Sequence, residues 1–132
     1  MARSLVAFIA TAVAFFSLDF LWLSVATPRL YRPMLGDLLA TEPKLLVAAL
    51  FYLVYVAGVV VFAVAPALAG GSWATALQLG ALLVLIAYGT YDFTNLATLN
   101  QWPVLVSVID LAWGVSATAI AATIGFLIAS KL

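Results

Sequence analysis

The sequence predicts an all-α integral membrane protein, an antiparallel up-down bundle of four transmembrane helices. Of its 132 residues, 67% are hydrophobic and only 8% are charged, with a mean hydropathy of +1.26. Four apolar runs lie at about 5–26, 45–66, 74–98 and 103–129, and each reaches the roughly 20 residues that a helix needs to cross a bilayer. The runs do not alternate polar and apolar positions, which excludes a transmembrane β-barrel. Short turns before the third and fourth runs require antiparallel neighbours, so we expect one domain over residues 1–132.

The first run combines features of a secretory signal and of a membrane helix. Arg3 precedes it, and the sequence SVA at 24–26 resembles a cleavage site. The run is nevertheless longer than the apolar core of a signal peptide, and it contains Asp19 and Trp22. We therefore expect a retained membrane helix.

The connection over residues 27–44 holds five of the ten charged residues. Its leucines and Met34 fall on one side of a helical wheel, which is typical of a short helix lying in the membrane interface. An irregular connector is the alternative. We call this end of the bundle the loop side, and the end that holds both chain termini the terminal side.

Prolines and small residues mark the ends and contacts of the later helices. Helix two is expected to end at Pro66, and Pro103 suits the first turn of helix four. Helix four carries small residues at the spacing of one turn, which allows close contact between membrane helices. These residues are Gly114, Ala117, Thr118, Ala121, Ala122 and Gly125.

Three helices bring an aspartate to the same depth. Counted at 1.5 Å per residue from the predicted helix ends, Asp19, Asp92 and Asp110 lie roughly 10 Å below the loop-side boundary. Polar groups at this depth are costly in lipid, so they need internal partners or a function. Aromatic and amide side chains share the layer. The candidate ligand-binding or proton site consists of Asp19, Trp22, Tyr52, Tyr55, Tyr88, Tyr91, Asp92, Asn95, Asp110 and Trp113.

The aspartates of this layer need partners. Arg29 and Arg32 are the candidate counter-charges, and we expect one of them to fold back over the layer, because an arginine fork holds a carboxylate well. We also expect Tyr91 or Asn95 to bond one of the aspartates. Three carboxylates cannot all ionise cheaply in a poorly hydrated layer, so at least one is expected to be protonated near neutral pH.

The composition argues against several functions. The chain has no Cys and no His, so it lacks thiolate nucleophiles, imidazole bases and the usual ligands of zinc and haem. We therefore expect no metal and no cofactor. The net charge is zero and no basic stripe is present, which argues against nucleic-acid binding. The expected partner is the lipid bilayer.

Three functions remain open. In the first, the acidic layer binds or transports a small polar or amphiphilic ligand, with proton coupling, and transport would require a homo-oligomer. In the second, the chain is a membrane enzyme that modifies a lipid with Asp92 and Asp110 as the acid/base pair, although no nucleophile motif supports catalysis. In the third, the polar layer only locks together a scaffold subunit of a larger membrane complex. We favour the first, since intramembrane acids usually serve a function.

Several stretches of the chain resemble a known family. They are LDFLWL, FYLVYVAGVVVFAVAPAL, GSWATALQLGAL, AYGTYDFTNLATL and IDLAWG. Together they look like the bacterial inner-membrane family called domain of unknown function 2177, from helix one to the end of helix four. The family pattern maps onto Asp19, Trp22, Tyr91, Asp92, Thr94, Asn95, Trp102, Pro103, Asp110 and Trp113. The resemblance implies a four-helix protein of the bacterial cytoplasmic membrane, and it implies no particular reaction.

Overall fold

Four helices are long and apolar enough to cross a membrane in the computed structural model, which describes residues 1–132. They are α1 (Ala2–Leu38), α2 (Leu45–Gly70), α3 (Trp73–Thr98) and α4 (Val104–Ala129). No strand is present. The predicted all-α fold with four transmembrane helices is confirmed, and the predicted bounds of α3 and α4 agree closely with the observed ones.

Helix α1 continues well beyond its predicted end near residue 26. A π-helical segment at Thr27–Tyr31 follows the regular helix, and further helical turns at Arg32–Leu35 and Gly36–Leu38 complete it. The helical form of the connection is therefore the observed one. The widened turn at Thr27–Tyr31 accommodates Pro28 at its start, because a π turn relaxes the spacing between a proline ring and the preceding carbonyl. The α-helical turn Arg32–Leu35 ends at Gly36, whose φ of 52° lies in the left-handed region.

Helix α2 also contains a π-helical segment, and it does not end at Pro66 as predicted. The segment spans Val60–Val64, and the regular helix then continues over Ala65–Gly70 with Pro66 in its first turn. The π-helical segment widens the turn before Pro66, which gives room to a proline ring that would clash inside a regular helix. The helix ends at Gly71, with a φ of 75°, whose N–H donates to the Ala67 carbonyl at 2.7 Å.

Helix α4 occupies the centre of the packing and contacts α1 and α3 along much of its length. Its small residues face inward, since Gly114, Ala117, Thr118, Ala121, Ala122 and Gly125 are all buried. A Cβ added at Gly125 would lie 2.0 Å from the Thr11 hydroxyl of α1. The predicted close contact of this face is therefore observed, and it is made within the chain.

Helix α2 packs differently in its two halves. The first half, Leu45–Val59, packs mainly against α1. From Val60 onward the helix also packs against α3 and α4. The bundle is consequently closed at the terminal side, whereas α2 and α3 diverge at the loop side.

Candidate functional site

A cavity of about 400 Å³ lies at the loop side, where α2 and α3 diverge. All four helices contribute to its wall. Of the ten predicted site residues, eight line it: Asp19, Trp22, Tyr52, Tyr55, Tyr88, Tyr91, Asp110 and Trp113. Asp92 and Asn95 do not. The cavity wall also includes Phe51 of α2 and Ala87 of α3, both of which are exposed, and we infer from their exposure that the cavity opens sideways between these two helices.

Asp19 lies at the α1 wall of the cavity and is almost completely buried, with 6% of its surface exposed. The Tyr52 hydroxyl of α2 donates a hydrogen bond of 2.8 Å to its Oδ2. The Tyr52 ring is held in turn by an edge-on contact with Phe15, with ring centroids 5.8 Å apart. Asp19 is thus fixed by a tyrosine from the neighbouring helix, as its depth in the membrane requires.

Asp110 lies at the α4 wall and accepts a hydrogen bond from a residue that sequence reasoning did not select. The Tyr31 hydroxyl donates to its Oδ1 at 2.5 Å, and Trp22 Nε1 donates to the same hydroxyl at 3.0 Å. In a regular helix, residues nine apart such as Trp22 and Tyr31 lie on opposite faces. The π-helical segment changes this phase, and it brings Tyr31 over the cavity.

Two tryptophans connect α1 and α4 beside the aspartates. The indoles of Trp22 and Trp113 stack with centroids 4.7 Å apart and planes 7° from parallel. Each follows an aspartate of the cavity wall by three residues, so the two D-x-x-W motifs of the sequence meet through their tryptophans. The indole Nε1 of Trp113 is buried without a hydrogen-bond partner.

Asp92 is completely buried, yet it is outside the cavity wall. Neither of its carboxyl oxygens has a hydrogen-bond partner, and the Asp110 carboxyl is a neighbour. Its backbone carbonyl accepts a 3.0 Å hydrogen bond from the Ser107 hydroxyl, which accepts one of 2.9 Å from Trp102 Nε1. The expectation that one carboxyl of the layer is protonated stays a prediction, and Asp92 is the carboxyl to which it applies best.

Tyr91 and Asn95 do not bond an aspartate, so this prediction is wrong. Tyr91 is 55% exposed, and its ring packs edge-on against Trp102, with centroids 5.7 Å apart. Neighbouring residues of a helix point about 100° apart, which turns Tyr91 away from the Asp92 carboxyl. Tyr31 and Tyr52 are the donors instead.

Arg29 and Arg32 do not fold back over the layer, and the predicted counter-charge is therefore wrong. Both side chains are exposed. Tyr31, which lies between them, points inward in their place and is buried. A phenol reaches an aspartate at lower desolvation cost than a guanidinium does, because it enters uncharged. The acidic layer consequently has no cationic partner within the chain.

The inner end of the cavity consists of Tyr55 and Tyr88. The hydroxyl of Tyr55 shares a hydrogen bond of 2.7 Å with Thr118 Oγ1 of α4. The Tyr88 ring lies directly on Gly114, where an added Cβ would approach the ring to 2.3 Å. The absence of a side chain at Gly114 therefore gives the Tyr88 ring its place in the wall.

The site can accept hydrogen bonds, attract positive charge and exchange protons. Its charged groups are carboxyls, and its aromatic walls suit an apolar or cationic group. No group of three or more acidic side chains is arranged to hold a metal ion.

Comparison with known proteins identifies a family. No curated protein and no solved structure is significantly similar to the chain. A family model described as "Predicted membrane protein (DUF2177)" matches residues 4–127, as the resemblance of its motifs implies. The four helices of membrane-spanning length agree with that description. The chain therefore belongs to the DUF2177 family, and it is a multi-pass membrane protein.

Proposed function

We propose that this protein binds a single-chain amphiphile that enters the cavity from the lipid bilayer. The observation that carries the proposal is the sideways opening between α2 and α3, which leads from the lipid-facing residues Phe51 and Ala87 to two carboxyls, Asp19 and Asp110. An apolar chain would lie along the aromatic wall. The polar head would lie beside the aspartates.

The size and lining of the cavity support this function. A volume of about 400 Å³ falls within the range of small-molecule sites, which are mostly apolar with a few convergent polar groups. Most of the wall is aromatic or aliphatic, and its two aspartates come from different helices. A cavity that only separates badly packed helices would have no reason to gather buried carboxyls at one end.

Binding is better supported than a complete transport pathway. The cavity lies at the loop side, while small residues such as Gly125 close the bundle toward the terminal side. Transport would need a second opening, supplied by a conformational change or by further copies of the chain. We further propose a location in the bacterial cytoplasmic membrane, which the resemblance of the family motifs supports.

A lipid-modifying enzyme is the second candidate, and the sideways opening favours it too. The acid/base pair would be Asp19 and Asp110, since Asp92 lies outside the cavity wall. Each of the two carboxyls already accepts a tyrosine hydrogen bond, which suits a binding role more than proton transfer to a substrate. Release of a modified product from a bound lipid would distinguish the enzyme from the binding protein.

A scaffold role has less support. A scaffold subunit would be expected to have a polar network without a cavity and an outward face of small residues on the fourth helix. The small residues of α4 instead face inward, as Ala117, Ala121 and Gly125 are buried. They contribute to the packing of this chain.

The proposed function can be tested by blocking the opening. In nanodiscs, a decyl amphiphile brominated at its sixth carbon would quench the fluorescence of Trp22 and Trp113 when it occupies the cavity, because a head group beside the aspartates holds that carbon within quenching range of the indoles. We expect saturable quenching for the native chain and at least a tenfold loss of affinity for Ala87→Phe, which fills the opening. Ile86→Phe is the matched control, because Ile86 is 62% exposed and outside the cavity wall. Quenching that stays linear with concentration, or that is equal in Ala87→Phe and the native chain, would refute the proposal.

A further inference from the structure

We propose, on the basis of the function proposed above, that the ligand is a cationic amphiphile whose ammonium group binds between Asp19 and Asp110. This inference adds the charge of the ligand to the proposed function. It follows from the balance of charge around the cavity and from the chemistry of its walls.

The layer around the cavity contains negative groups without a positive partner. Asp19 and Asp110 line the cavity, and each receives one hydrogen bond from an uncharged tyrosine. Arg29 and Arg32, the arginines of the connection at the loop side, are exposed. An anionic head would therefore meet like charge in a medium of low dielectric constant, where repulsion is strong. A cationic head would supply the missing counter-charge.

Asp92 provides an independent observation. It is 0% exposed, both of its carboxyl oxygens lack a partner, and the Asp110 carboxyl is its neighbour. Two neighbouring carboxyls in a poorly hydrated place avoid carrying charge together, so Asp92 and Asp110 compete for a proton. A positive charge placed against Asp110 would relieve both carboxyls.

The aromatic wall favours a cation over a neutral head of the same size. Trp22 and Trp113 stack beside the two aspartates, and Tyr52, Tyr55 and Tyr88 complete the adjoining wall. Aromatic faces attract ammonium groups through their quadrupole, and the attraction is larger when the groups are desolvated. The same rings offer an apolar surface to the chain. The acidic and aromatic end of the cavity suits an ammonium group, and the apolar opening suits an alkyl chain. An alkylammonium combines the two.

The experiment compares amphiphiles that share one chain and differ in the head. The probes are decyl chains that carry bromine at the sixth carbon and end in an ammonium, trimethylammonium, alcohol or carboxylate head, each titrated into nanodiscs of zwitterionic lipid at pH 7. Quenching in nanodiscs of a chain with the Ala87→Phe block gives the contribution of ordinary partitioning. An alkylamine is protonated at this pH, as a lysine is. We expect the ammonium to bind at least tenfold more tightly than the alcohol, and the carboxylate to bind most weakly.

Two aspartate variants test the location of the head. Asp110→Asn keeps the shape of the side chain and removes its charge, so it should reduce the preference for ammonium over alcohol at least fivefold. Asp37→Asn is the matched control, since Asp37 is exposed on the connection beyond the cavity, and it should leave the preference unchanged. Binding of the alcohol checks that the Asp110→Asn chain is folded.

The outcomes separate this inference from the proposed function. If the alcohol or the carboxylate binds as tightly as the ammonium, the cationic ligand is refuted while amphiphile binding stands. If no head group gives saturable quenching, both proposals fail. If Asp110→Asn does not fold, the comparison of the four heads on the native chain still decides the question.

Discussion

The two ends of the bundle differ in what fills the space between the helices. At the terminal side, α1 and α4 approach so closely that Gly125 has no room for a methyl group beside Thr11. At the loop side, the same two helices are held apart by a pair of stacked indoles. Small residues give a membrane bundle close van der Waals packing, whereas large aromatic residues keep a space open. The difference teaches that small residues close one end of this fold, whereas aromatic residues leave a cavity at the other end.

We expect the largest loss of stability from a substitution at the tightly packed terminal side. Gly125→Ala would place a Cβ 2.0 Å from the Thr11 hydroxyl, and overpacking of this kind costs about 1–3 kcal/mol. The free energy of unfolding, measured by denaturation in mixed detergent micelles, should fall by that amount. Gly58→Ala is the matched control, because a Cβ there meets nothing within 4 Å. An equal effect of the two substitutions would contradict the contrast between the ends.

The next effect concerns the link between the π-helical segment and α4. Tyr31→Phe removes the hydroxyl that donates to Asp110 and accepts from Trp22, so we expect a loss of about 0.5–1.5 kcal/mol, as for a typical intramolecular hydrogen bond. Tyr91→Phe is the control, since Tyr91 bonds no aspartate. The measurement is again the free energy of unfolding. No difference between the two variants would show that the Tyr31 bond does not hold the segment over the cavity.

A substitution at the cavity end should change binding more than stability. Gly114→Ala would bring a Cβ to 2.3 Å from the Tyr88 ring, and the ring can move into the cavity to avoid it. We expect a stability loss of about 1 kcal/mol and a clear loss of affinity for the bromodecyl probes. Gly125→Ala should instead lower the free energy of unfolding more than it lowers the affinity for the probes. A Gly114→Ala chain that binds with native affinity would contradict the position of Tyr88 in the cavity wall.

The smallest effect is expected for the exposed arginines. Arg29→Gln combined with Arg32→Gln should change the free energy of unfolding by less than about 0.5 kcal/mol, as is usual for exposed positions. The reason is that neither side chain contacts the acidic layer; Tyr31 does. A loss comparable to that of Tyr31→Phe would indicate that the two arginines do contact the acidic layer.

Counting residues along the predicted helices brought together side chains that line one cavity. Residues counted along a helix translate directly into distance across a membrane, so Asp19 and Asp110 could be assigned to one layer from their positions alone. The same count brought the aromatic residues of α2 and α3 to that layer. Eight of the ten predicted residues line the cavity for this reason.

The direction in which each side chain points could not be predicted in the same way. The loop-side half of helix α3 carries polar residues on more than one side, such as Thr90 and Asn95, so its sequence contains no single polar face that would fix its rotation. Asp92 was therefore assigned to the shared site although it lies outside the cavity wall. Tyr31 was missed because the first helix was expected to end near residue 26, whereas a π-helical segment continues it and brings Tyr31 over the cavity.

The stacked indoles of Trp22 and Trp113 have an optical consequence. Two chromophores 4.7 Å apart and nearly parallel share their excited states, and such coupling changes the near-ultraviolet circular dichroism of both. The coupled signal depends on the separation and angle of the two rings, so any movement of α1 relative to α4 at the cavity alters it. The other two tryptophans, Trp73 and Trp102, lie outside the stack and give a reference. The near-ultraviolet circular dichroism of the protein therefore reports movement of α1 relative to α4 at the cavity without an added label.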